Sequence, residues 1–166
     1  VKKKDGSQQQ ISLIRDVIEY DEVFARSSVI TDEKGDKYGI IYLPEFYTPM
    51  GKEGGRYPTD DIKKEIEVLK KENIKGLIFD VRNNGGGSLE EVVKISGLFI
   101  NQGPIVQVRR SDGMLKIHED KDNSISYDGP LVVMVNELSA SASEIFAAAM
   151  QDYGRAVIVG SPQTFG

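Results

Sequence analysis

The chain has no cysteine, and its 166 residues include a single histidine, His118. Without thiols there are no disulfides, no cysteine nucleophile and no cysteine-based metal site, while the compartment stays open, because exported and cytosolic chains alike can lack cysteine. Positive charge is also in short supply. Lys and Arg number 21 against 26 Asp and Glu, which gives a net charge of -5 and a pI near 5.0. Such a surface does not neutralise a phosphate backbone, so nucleic acid is excluded as a partner. No apolar stretch approaches the roughly 20 residues that span a bilayer, and the opening VKKKDGSQQQ is polar with no apolar signal core behind it. Internal repeats and low-complexity segments are absent as well.

What is present suits one well-buried core: 166 residues, 39% of them hydrophobic. FARSSVI (24–30) and YGIIYLP (38–44) are β-rich runs around the turn TDEKGDK, which predicts a strand pair. EFYTPMGKEGGRYPT (45–59) reads as an irregular loop in which Phe46 and Tyr47 pack rather than bind. TDDIKKEIEVLKKEN places Ile62, Ile66 and Leu69 at helical spacing, with Thr59 as its cap, acids in the first turn and lysines in the last. KGLIFDV (75–81) is a strand of the kind buried on both faces of a parallel sheet, and RNNGGGS then leads into a second amphipathic helix, LEEVVKISGLFI. PIVQVRR (104–110) and MLKIH (114–118) flank the turn SDG; LVVMV (131–135) and AVIVG (156–160) bracket a third helix. Strands alternating with helices predict an α/β domain with a central, largely parallel sheet and flanking helices.

Two junctions repeat one architecture of buried strand, tight loop and helix start. FDVRNNGGGS can turn backbone N–H groups toward an anionic oxygen, with three glycines allowing close approach, but it fits neither dinucleotide nor nucleoside-triphosphate loop patterns. No bound nucleotide is expected. The second junction, NELSASASEIF, puts serines at 139, 141 and 143. Ser139 reads as the helix cap and Ser143 as a first-turn residue, which leaves Ser141 nearest to N–H groups that could hold an oxyanion. Two helix N-termini on the carboxyl edge of one parallel sheet are where open α/β sheets bind ligands.

A serine needs a base. His118 ends a β-run on a hairpin, and a Ser-His-Asp triad through it is the weaker reading; the alternative base is a lysine brought toward neutrality by burial, yet no lysine sits in a buried apolar run.

Together, GLIFDVRNNGGGSLEEVVKISGLFI, GPIVQVR, YDGPLVVMVNELSASASEIFAAAMQDYGRAVIVG and the closing TFG resemble the tail-specific, or carboxy-terminal processing, proteases of serine peptidase family S41. The resemblance runs from SLIRDVIEYDEVFARSSVI to the last residue. It implies a crotonase/ClpP-like core and a serine-lysine dyad. The middle serine of the S-A-S-A-S run, Ser141, would be the nucleophile; the N–H of Ala142 and that of Gly87, in preference to Gly86, would form the oxyanion hole. Asp152, in MQDYGR, falls on a position that supports activity. The family's base is a lysine directly after TFG, with a glutamine a turn later, and a substrate-recruiting PDZ domain precedes the core. The expectation is therefore that residues 1–23 are a polar leader and connector and that 24–166 are the protease core without its PDZ domain and without the part that holds the lysine, inactive on that account. Substrates would be proteins with exposed, rather apolar C-termini, the location periplasmic or cell-envelope associated, and cofactors and metals none; nothing indicates the oligomeric state. Two other classes share the fold: a crotonase-like acyl-CoA enzyme, which would bind an adenine nucleotide, and a non-catalytic protein-binding module.

Overall fold

The apolar runs become strands, and the residues between them decide where each strand stops. In the computed structural model, which describes residues 3–10, 23–49 and 55–166, β1 (Arg26–Thr31) and β2 (Lys37–Tyr42) form the expected antiparallel hairpin. Asp32 organises its turn by accepting the Lys34 and Asp36 N–H groups at 2.9 Å each, an aspartate side chain doing what a backbone carbonyl does in a turn. Most of the leader and connector expected over 1–23, and the loop centre 50–54, lie outside the described residues.

After the hairpin come α1 (Pro58–Lys71), β3 (Gly76–Asp80), α2 (Leu89–Gly97), β4 (Gly103–Arg109), β5 (Leu115–Asp120), β6 (Leu131–Val135), α3 (Ala142–Asp152) and β7 (Val157–Gly160). Five strands make one sheet in the order β1-β2-β3-β6-β7, with β2, β3, β6 and β7 mutually parallel and β1 antiparallel at the edge. This is the largely parallel sheet that the continuous apolar runs call for. β4 and β5 stand apart as a two-stranded antiparallel ribbon.

Ile62, Ile66 and Leu69 are buried along α1, as their spacing requires. Thr59 does not cap that helix. Tyr57 holds the N-cap position and Pro58 starts the helix, its fixed φ being suited to the first turn, while Thr59 gives both its N–H (3.2 Å) and its hydroxyl (2.7 Å) to Glu91 of α2. The two helices are thus joined at their starts. α2 ends at Gly97, and the apolar residues read as its last turn, Leu98 to Ile100, are buried in a turn whose Leu98 carbonyl accepts from Ser126 and Tyr127. The centre of the core is a trio of rings, Phe79 of β3, Phe99 and Phe146 of α3, with centroids 4.7 to 5.8 Å apart and no exposed surface.

Candidate active site

β3 and β6 are parallel neighbours, so the loops that follow them leave the sheet side by side. Hydrogen bonds then stitch the two loops together. Asn83 donates its N–H to Asn136 Oδ1 (2.9 Å) and accepts the Asn136 side-chain amide (2.8 Å), and the Asn84 carbonyl accepts both the Ala140 N–H (3.0 Å) and the Ser143 hydroxyl (2.9 Å). Asn84 in turn gives its side-chain amide to the Leu43 carbonyl at 2.9 Å and accepts the Gly86 N–H at 2.8 Å.

The three serines divide their work differently from the expectation. Ser139 is fully buried and does not cap α3; its hydroxyl donates to the Val81 carbonyl at 2.8 Å and accepts the Asn136 N–H, which fastens the serine loop to the end of β3. Ser143 is in the first turn but points inward to Asn84. Ser141 is exposed and takes the N-cap position with φ 55° and ψ -112°, a conformation that a non-glycine residue holds only under strain from its surroundings. Such outliers concentrate at functional sites.

The glycine loop supplies the other wall. At Gly86, φ is 107°, and an added Cβ would lie 2.8 Å from Ser141 Cβ and 3.1 Å from the Ala142 nitrogen, so only glycine fits against the serine. Gly87 pairs in parallel with Phe46: the Phe46 N–H donates to the Gly86 carbonyl and its carbonyl accepts the Ser88 N–H, both at 2.8 Å. Such a pairing turns the N–H of Gly87 itself to the far side. Among the described residues the Gly87 and Ala142 N–H groups meet no protein acceptor, whereas that of Gly86 is committed to Asn84. The arrangement offers two unpaired donors beside a strained serine at the positive end of a helix.

Glu144 is a residue whose part in this site composition alone did not show. Its carboxylate accepts the Ser141 N–H at 2.6 Å, the Thr164 hydroxyl at 2.7 Å and the Gly166 N–H at 3.1 Å, and the Phe165 N–H reaches the Ser139 carbonyl at 3.0 Å. The Thr164 hydroxyl above all, with the Gly166 and Ser141 N–H groups, holds the Glu144 carboxyl below the usual glutamate range, against the opposing effect of burial. The closing TFG is thereby tethered to the start of α3. The signal was available in the spacing Ser141-x-x-Glu144, which is that of a capping box.

Other candidates lie apart. Asp152 ends α3, about 16 Å along the helix from Ser141 by its rise per residue, and lines a surface groove with Pro104 and Gln107. His118 is on the ribbon, paired with Val106 and facing Glu90 and Lys94 of α2. Lys94 is bound to Glu91 at 2.8 Å, and that hydrogen bond raises its pKa, the wrong direction for a base. A cavity of about 560 Å³ opens between Tyr57, Glu91, Lys94 and Asp120, away from the serine, and no group of three or more possible metal ligands occurs among the described residues.

The model of peptidase family S41 matches residues 37–166, a span that contains both loops and the tethered end. The chain belongs to peptidase family S41. A tail-specific protease of Haemophilus influenzae is 44% identical over 98% of the chain, which spans 22% of that relative's length. A carboxyl-terminal-processing protease of Picosynechococcus is 33% identical, again over 98% of the chain and 36% of the relative. Among solved structures, a photosystem II D1 C-terminal processing protease superposes with a TM-score of 0.73 at 29% identity, over 86% of this chain and 37% of that one. The mostly parallel five-stranded sheet and its helices thus match the fold of S41 protease structures, the crotonase/ClpP-like fold.

Proposed function

We propose that this S41 chain carries the nucleophile and the oxyanion hole of a C-terminal processing serine endopeptidase. Ser141 attacks the scissile carbonyl, and the Ala142 and Gly87 N–H groups receive the oxyanion as the tetrahedral intermediate forms. Gly86 serves as the close-packed neighbour of the serine. The single observation that supports the reading is the close approach of Gly86 to Ser141, which brings the glycine loop, with its unpaired Gly87 N–H, against the exposed serine that opens α3. The proton of Ser141 passes to a lysine at the position after Gly166, which the Glu144 tether would hold at the start of α3. Asp152 acts from the far end of α3, supporting the helix rather than touching the reacting atoms.

Substrates are proteins presenting an exposed C-terminus, in line with the names of the relatives, and the periplasm or cell envelope is where the protein acts. No helix of the described residues is long and apolar enough to cross a membrane. The test expresses the protein carried on past Gly166 with that lysine and measures cleavage of a protein with an apolar C-terminus. Cleavage lost in Ser141→Ala supports the reading. Substrate binding with no cleavage in either form would make this a binding module of the same fold.

A further inference from the structure

The N–H of Gly87 is directed by Phe46, and Phe46 is held in turn by its neighbour Tyr47. The Tyr47 hydroxyl donates to Asp61 Oδ2 at 2.5 Å and accepts the Ala25 N–H at 3.4 Å. Arg56 Nε donates to the same oxygen at 3.0 Å, so one carboxylate grips both ends of the segment that runs from Tyr47 to Arg56. Asp61 has 4% of its surface exposed and is fixed in the first turn of α1, where its N–H donates to the Tyr57 carbonyl. Phe24 closes the cluster, edge-on to Tyr47 and under the Arg56 guanidinium.

We infer that Asp61 is a positioning residue for the oxyanion hole: through Tyr47 it fixes Phe46, and Phe46 fixes the direction of the Gly87 N–H. The inference rests on the reading of Gly87 as an oxyanion donor. A buried carboxylate that only stabilised α1 could pair within its own helix, and Lys64 stands 3.8 Å away on that side. Instead its short bonds go to the two ends of the segment that adjoins the glycine loop. Burial first, and then the bond to Asp61, raise the pKa of Tyr47, so its hydroxyl stays protonated and remains a donor throughout the working range.

The test uses Tyr47→Phe, nearly isosteric, together with Asp61→Ala and Asp61→Asn, the last keeping one acceptor oxygen for Tyr47. Glu65→Gln is the control, because Glu65 also bridges α1 to a distant residue, Ser27, but does not touch this segment. In the 166-residue chain, the amide resonances of Gly86, Gly87 and Ser88 should move, and the Phe46 and Ser88 amides should exchange faster, in Tyr47→Phe and Asp61→Ala; Asp61→Asn should show less, and Glu65→Gln no change. In the protein carried past Gly166, kcat should fall at least about tenfold with KM unchanged, short of the roughly hundredfold or greater loss from removing an oxyanion donor outright. The Asp61→Ala/Tyr47→Phe double variant should be no worse than the worse single, since both cut one linkage. Unmoved glycine-loop amides would overturn the proposal whatever the activity. Moved amides with an unchanged kcat would overturn it too, and would show that Gly87 is not the donor. If the unsubstituted protein has no Ser141-dependent activity, the endopeptidase reading fails, and the amide data report that separately.

Discussion

Gly86 and Gly85 are adjacent and chemically identical, yet a methyl group added to each should have opposite consequences. At Gly85 the added Cβ meets nothing within 4 Å and φ is outside the left-handed region; at Gly86 φ is 107° and the Cβ would lie 2.8 Å from Ser141 Cβ and 2.9 Å from the Ala140 carbonyl oxygen. Carbon atoms rest about 3.5 to 4.0 Å apart, so Ser141 or the loop must give way by roughly 1 Å. The forced backbone conformation adds a strain of about 1–3 kcal/mol. A displacement of about 1 Å at reacting atoms costs on the order of a hundredfold in rate. Gly86→Ala should therefore lower stability by about 1–3 kcal/mol, read from the denaturant midpoint, and reduce kcat/KM about a hundredfold or more in the protein carried past Gly166. Gly85→Ala should change stability by less than about 0.5 kcal/mol and leave activity nearly intact. If the two variants behave alike in both assays, the close packing of Gly86 on Ser141 does not constrain the site and the reasoning fails.

Ser141→Gly should remove the strain of φ 55° and raise the unfolding free energy by about 1 kcal/mol while eliminating the nucleophile; a lower denaturant midpoint would count against strain at this residue. Because the folded state holds the Glu144 carboxyl below its usual range, it adds stability that is present above the ordinary glutamate value of about 4.3 and is lost as the pH falls through its lowered value. Protection of the Phe165 and Gly166 amides, taken relative to the intrinsic exchange rate at each pH, should fall in acid, and Glu144→Gln should lack that dependence; equal acid sensitivity of the two proteins would refute it. Phe146→Ala, which empties the centre of the ring trio, should cost about 3–5 kcal/mol in a denaturation experiment, and a loss under 1 kcal/mol would mean that the three rings do not form a close-packed centre.

The periodicity of the sequence carried most of the architecture. KGLIFDV and LVVMV read as strands buried on both faces, and they became the adjacent β3 and β6, because continuous apolar runs leave no face that can be offered to water. Helix edges were less legible. Thr59 has the composition of a cap, but Pro58 claims the first helical position and Glu91, 32 residues away, claims the threonine hydroxyl, a partner that no local pattern reveals. The same limit applied at the serines. Ser139 looks like a cap from its neighbours alone, whereas the Val81 carbonyl at the end of β3 recruits it, 58 residues earlier in the chain. Ser141 entered the candidate site by position, Gly87 and Ala142 by resemblance, and Glu144 by neither, since its three donors come from two segments that meet only in the folded chain.

The role of Glu144 bears on which group takes the proton from Ser141. Glu144 touches the serine backbone, but its carboxyl is held below the usual range, and a weaker base removes a hydroxyl proton less well near neutrality. Its oxygens are occupied by Ser141, Thr164 and Gly166, so withdrawing it to serve as a base would release the tether. Asp152 is a helix length away, His118 lies on the ribbon and Lys94 is bound to Glu91 with its pKa raised. None of these groups suits the role, and the base that the family resemblance implies, a lysine directly after Gly166, fits the proposed mechanism because Glu144 holds that point of the chain at the helix start. A carboxylate that near would favour the charged form of an amine, unless its charge were already spread over donors of its own. Of the three hydrogen bonds that Glu144 accepts, those from Thr164 and Gly166 fasten the chain's end to α3, and all three together would do that spreading, so that burial could bring the proposed amine toward neutrality. In the proposed mechanism the tether and the tuning of the base would in this way be two results of one set of contacts.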